Sequence, residues 1–85
     1  EFSSLYYMNK QMTVDKLKDC VNKTFSDKNC GNVFRIKGFM SDGSGWLELN
    51  ATKKETVIKP IKEGQEIFIV IGEDLNEEAV NKYWD

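Results

Sequence analysis

Histidine is absent from these 85 residues, while proline occurs once (Pro60), arginine once (Arg35) and cysteine twice (Cys20 and Cys30). Without histidine the chain lacks the usual general base and the commonest metal ligand. Neither a G-x-S-x-G elbow nor a cysteine with a recognisable base beside it is present. Acid–base or nucleophilic chemistry would have to be built from carboxylates and lysines alone, so the sequence points away from an enzyme and offers no catalytic residue. Two thiols fall short of a zinc ligand set, so no metal or cofactor site is assigned to this chain. Cys20 and Cys30 read as ordinary thiols, with a disulfide and a shared metal site as the alternatives.

Charge of one sign is lacking too. Twelve basic and fourteen acidic side chains leave a net charge of −2, and the lysines are scattered from Lys10 to Lys82 without forming a stripe. That argues against a surface that tracks phosphates, hence against a nucleic-acid partner. No apolar run approaches the ~20 residues of a membrane span, and no signal peptide opens the chain, so the expectation is a cytoplasmic protein without a membrane partner. The length is that of one small domain, residues 1–85. The first residue is Glu1 rather than methionine, which suggests a piece of something longer.

What is present is clearest between Val33 and Asn50. Two runs of period 2, Val33 to Met40 and Trp46 to Ala51, flank the turn formers Ser41-Asp42-Gly43-Ser44, which predicts a β-hairpin. Closing it with Met40 opposite Gly45 sets Gly38 against Leu47, Ile36 against Leu49 and Phe34 against Ala51 on one apolar face. Phe39 then faces Trp46 and Lys37 faces Glu48 on the other. A slip of one residue would carry Glu48 and Asn50 to the core side, so the apolar pattern selects the first alignment.

Elsewhere, Phe2 to Met8 reads as a strand with Tyr6 and Tyr7 on opposite faces. Thr13 is an N-cap, Met12 and Leu17 stand at staple positions, and Asp15 lies in the first turn of a helix beginning at Val14. Its inner face is Val14, Leu17, Cys20, Val21 and Phe25. Ser26 to Asn32 reads as a polar loop in which Gly31 can take a positive φ. Thr56 to Ile61 reads as an edge strand, or one that ends at Pro60, because Pro60 cannot donate to a ladder. Glu66 to Gly72 carries five consecutive large apolar residues, the pattern of a central strand covered on both faces. Asn76 caps a last helix from Glu77 to about Trp84, with Leu75, Ala79, Val80 and Tyr83 or Trp84 on its apolar side. The order predicts an α+β fold, a mainly antiparallel four- to five-stranded sheet carrying two helices.

Lys37-Gly38-Phe39 matches only the first positions of an RNA-recognition signature and continues as Met40-Ser41-Asp42, so it reads as ordinary strand sequence. Asp42-Gly43-Ser44-Gly45 joins two strands and is no P-loop. The acidic residues Glu73, Asp74, Glu77 and Glu78 read as a solvated helix start. Arg35, Lys37, Phe39, Trp46 and Glu48 fall together on the hairpin face opposite the core. They form the candidate interface, with two readings: a contact surface for a partner, or a face covered by a helix with Lys37 paired to Glu48 at its rim.

The segments Val33-Phe34-Arg35-Ile36-Lys37-Gly38-Phe39, Gly45-Trp46, and Ile67-Phe68-Ile69-Val70-Ile71-Gly72-Glu73-Asp74-Leu75-Asn76-Glu77-Glu78-Ala79 resemble the C-terminal domain of the CobW family. That family carries an R-x-K-G strand, a tryptophan early in the next strand, and an isoleucine-glycine step before a leucine-capped terminal helix. Phe2-Ser3-Ser4 looks like its opening strand, so the likeness spans nearly the whole chain. The resemblance implies a non-catalytic accessory or regulatory domain behind a P-loop GTPase, in metal chaperones linked to cobalamin synthesis. It implies GTP with magnesium and a transition metal, cobalt or zinc, for the parent protein only. The partners it implies are the N-terminal GTPase domain of the same chain and a client metalloprotein. The GTPase motifs, the Cys-x-Cys-Cys metal site and the histidine-rich tract of some members are absent here. Arg35, Lys37 and Gly38 transfer as positions of the family pattern, structural or interfacial. The alternative from the residues themselves is a freestanding small-molecule or metal-binding α+β domain, motivated by the two cysteines and the acidic residues.

Overall fold

Each segment with strand periodicity forms a strand. The computed structural model describes all 85 residues, as β1 (Ser3–Met8), α1 (Val14–Ser26), a 3-10 turn (Lys28–Cys30), β2 (Asn32–Ser41), β3 (Trp46–Ala51), β4 (Thr56–Ile61), β5 (Ile67–Glu73) and α2 (Glu77–Trp84). The strands make one antiparallel sheet in the order β1-β5-β2-β3-β4, and the class is α+β. No helix is long and apolar enough to cross a membrane.

Both helices lie on the same face. The Thr13 hydroxyl accepts from the Lys16 amide at 3.1 Å and Asn76 Oδ1 from the Ala79 amide at 3.2 Å, so each helix starts at the predicted cap. Leu17, Cys20 and Val21 of α1 and Ala79, Val80 and Trp84 of α2 are buried against Tyr7, Val33, Ile36, Met40, Leu49, Phe68 and Val70 of the sheet. Trp84, rather than Tyr83, fills the centre, 5.3 Å from the Phe68 ring and 5.9 Å from Tyr7. Burial of an aromatic side chain of that size is worth about 3–5 kcal/mol against truncation to alanine. Cys30 falls in the 3-10 turn, where an open loop was expected, and is fully buried. Asp27 caps that turn by accepting from the Asn29 amide, and Gly31 takes the expected positive φ of 100°. Both cysteines are free.

Three expectations need correction. The hairpin register is displaced by two residues: Ser41 pairs with Trp46, Met40 with Leu47, Phe39 with Glu48, Gly38 with Leu49, Lys37 with Asn50 and Ile36 with Ala51. From Arg35 to Ala51 the face of every paired side chain is preserved, because apolar alternation fixes parity but cannot distinguish registers two residues apart. The turn decides. Asp42 Oδ1 accepts from the Ser44 amide and hydroxyl, Gly43 has φ 89°, and the Asp42 amide donates to the Gly45 carbonyl, so the ladder closes one pair nearer the tip.

Phe34 does not join the core. A β-bulge between Val33 and Arg35 puts two residues where one was expected, so Val33 takes the buried position and Phe34 turns out against Phe2 at 5.1 Å.

The third correction concerns β5. It is interior, flanked by β1 and β2, but it is covered on one face only, and β2 holds the middle of the sheet. Phe68, Val70 and Gly72 are buried under the helices, whereas Ile67, Ile69 and Ile71 are half-buried on the side that carries no helix. β4 is an edge strand as expected, and it keeps Pro60 opposite Leu47.

Candidate interaction surface

Cross-strand pairing determines what the helix-free face presents. One row reads Tyr6, Ile69, Lys37, Asn50, Val57 from edge to edge, and the next reads Met8, Ile67, Phe39, Glu48, Lys59. Ser4, Ile71 and Arg35 lie at one end of these rows, and Trp46 with Ile61 lies at the other. All five candidate interface residues, Arg35, Lys37, Phe39, Trp46 and Glu48, therefore share this face. Arg35, Lys37, Phe39 and Glu48, with Asn50, line one shallow cleft in it.

Phe39 and Trp46 are not free-standing. The β4–β5 loop crosses them at Gly64, where an added Cβ would sit 3.1 Å from both Phe39 Cβ and Trp46 Cε3 and 3.3 Å from Ile61 Cδ1. This corner is a small apolar cluster beside the core, where an added side chain at Gly64 would press tightly on Phe39, Trp46 and Ile61.

The two-residue displacement changes the charges. Lys37 stands opposite Asn50 rather than Glu48, and Glu48 instead meets Lys59 of β4 at 3.6 Å. The remaining carboxylate of the face, Glu73, lies 3.5 Å from the Glu1 amino group. Arg35 uses Nε to donate to Asn50 Oδ1 at 3.0 Å, leaving the rest of its donor fork unused, and neither Arg35 nor Lys37 forms an ion pair. A helix covering this face, the second reading of the sequence, is absent from residues 1–85.

Sequence reasoning missed the other half of the surface. Phe2, Tyr6 and Met8 are exposed, at 74%, 62% and 50%, beside half-buried Ile67, Ile69 and Ile71. Contiguous apolar area of this kind is uncommon on a free-standing surface and marks interaction sites. The signal for it is the uninterrupted apolar run of β5, which puts apolar side chains on both faces of that strand.

No comparable assembly forms elsewhere. No group of three or more His, Cys, Asp or Glu comes together. The cleft bordered by Lys10, Lys16 and Lys82 has Cys20 among its lining residues, and the Lys10–Asp85 ion pair at 3.3 Å forms part of its wall. Cys20 donates to the Tyr83 carbonyl, and burial pushes both thiols up from their usual pKa, which disfavours the thiolates.

No family model and no curated protein matches this sequence. Two solved structures share its fold. The Zn(II)-bound YjiA GTPase from E. coli superposes with a TM-score of 0.73 over 96% of this chain at 13% identity. A Zn(II)-bound triple mutant of the YjiA GTPase gives 0.69 over the same share, also at 13% identity. This chain spans 28% of either of those chains. The antiparallel sheet with two helices is thus a fold that also occurs as about a quarter of a larger, zinc-bound GTPase chain.

Proposed function

We propose that residues 1–85 form a non-catalytic interaction domain of a larger GTP-dependent metal chaperone of the CobW kind, and that the open sheet face packs against its GTPase domain. The observation that carries this reading is the coverage: 96% of this chain matches only 28% of a GTPase chain. The sequence resemblance to CobW C-terminal domains points the same way, and the apolar open face supplies the surface such an arrangement needs. GTP with magnesium, the transported cobalt or zinc, a client metalloprotein, the link to cobalamin synthesis and the cytoplasmic setting all belong to the parent in this proposal. The residues of this chain bind and orient; none performs chemistry.

The rival is a freestanding small-molecule or metal-binding domain, and its metal version gains nothing from the geometry, since the cysteines and the acidic residues do not converge. The test is to translate the coding region upstream of Glu1 in frame. A P-loop followed by a Cys-x-Cys-Cys segment is the expected result. An unrelated domain, or a start codon at this point, would overturn the reading.

A further inference from the structure

The open face is divided along its length. On β1 and β5 it is apolar (Tyr6, Met8, Ile67, Ile69, Ile71), and the adjoining strand β2 carries Arg35 and Lys37, paired across with Ile71 and Ile69 and unmatched by any carboxylate. From these positions we infer that the face seats an amphipathic helix running along β5, with its apolar stripe on Ile67, Ile69 and Ile71 and two carboxylates one turn apart paired with Arg35 and Lys37.

The dimensions agree. Residues i and i+2 of a strand stand about 6.6–6.8 Å apart, and positions i and i+4 of a helix rise by about 6 Å on one face. Arg35 and Lys37 are therefore spaced to meet acids at i and i+4. Neighbouring strands lie about 4.8 Å apart, so a helix centred on β5 carries the flank of its stripe over β2. The unused donors of Arg35 suit a carboxylate. A second copy of this chain fits poorly: an isologous contact centred on β2, the middle strand, would bring the Lys37 side chains of both copies towards one another. A helix layer here would complete a three-layer arrangement, with helices on both sides of the sheet.

This inference rests on the proposed interaction role but not on the identity of the parent. The test uses residues 1–85 and two synthetic helical peptides with the same leucine stripe. One carries glutamate at the i and i+4 flanking positions, and the other carries lysine there. Binding is followed by amide chemical shifts and by titration at low salt. The glutamate peptide is expected to bind and to shift the amides of Ile67 to Ile71 and Arg35 to Lys37. The lysine peptide should bind about tenfold more weakly or worse. The R35E/K37E double variant, altered only at side chains outside the core, should reverse that preference. Equal binding of the two peptides, no binding of either, shifts mapping to another face, or no reversal in the double variant would each overturn the helix assignment. So would concentration-dependent dimerisation through this face. None of these results bears on whether a P-loop lies upstream, so failure here and failure of the proposed function are separately visible.

Discussion

The indole Nε1 of Trp84 donates to the Thr24 hydroxyl at 2.8 Å, and that hydroxyl in turn donates to the Cys20 carbonyl at 2.7 Å, so one buried side chain of α1 satisfies the last core residue of α2. Thr24 is the only fully buried polar side chain. Thr24→Val keeps the shape and orphans the indole N–H, which should cost about 1–3 kcal/mol. Urea unfolding measures this, and Thr24→Ser should recover most of the loss. If valine and serine behave alike, the hydrogen bond contributes nothing.

Two glycines should respond oppositely to alanine. At Gly38 a Cβ would collide with the Ile67 carbonyl and lie 2.6 Å from Phe68 Cδ1, whereas at Gly45 it meets nothing within 4 Å. Gly38→Ala should destabilise by about 1–3 kcal/mol or prevent folding. Gly45→Ala should be neutral or stabilising by a few tenths of a kcal/mol, through the unfolded chain. Thermal melts of the two variants compare them directly.

The Tyr83 hydroxyl donates to Asp27 Oδ2 at 2.6 Å, which lowers the Asp27 pKa, helped by the Asn29 amide, and that same bond raises Tyr83 to about 12. A carboxyl with a depressed folded pKa contributes stability that is complete above its unfolded pKa and is lost as pH falls through the folded value. A tyrosine with a raised pKa contributes below its unfolded pKa near 10 and loses that contribution as pH rises towards about 12. Tyr83→Phe should therefore flatten the acid limb of the stability profile below about pH 4. The alkaline limb is less diagnostic, because burial also raises Tyr7 to about 12. An acid limb unchanged by Tyr83→Phe would show that the bond is not populated in solution.

Cys20 and Cys30 are 2% and 0% exposed and their thiols are held protonated by burial. Their reaction with an aromatic disulfide reagent should follow global unfolding, with the rate rising in parallel with the unfolded fraction across a urea series. Rapid modification in native buffer would contradict the packing of the 3-10 turn against α2.

Local chemistry was legible in the sequence wherever one residue decides it: Thr13 and Asn76 as caps, Gly31 as the positive-φ corner, and Pro60 on an edge strand. The inward face of each helix was legible from its apolar spacing, except for Thr24, a polar residue that this pattern leaves out. The exact partners in the hairpin were not, because Met40 opposite Leu47 and Met40 opposite Gly45 leave every side chain on the same face, and the choice rests on hydrogen bonds inside Asp42–Gly45. The bulge at Val33 escaped because Val33 and Phe34 are both apolar and either could face the core. All five candidate interface residues share one surface as the alternation implied. The apolar run of β5 correctly signalled two apolar faces, but the second face has no cover within these 85 residues.

That open face is the centre of the account, and side-chain footprinting reads it most directly. Tyr6 and Met8 are exposed, while Met40 is buried under the helices and serves as the internal reference. Hydroxyl-radical oxidation of residues 1–85 alone, and of the same residues within the longer GTPase proposed above, should show Tyr6 and Met8 modified readily in the first and protected in the second, with Met40 protected in both. Equal oxidation of Tyr6 and Met8 in the two samples would contradict the claim that this face is a docking surface.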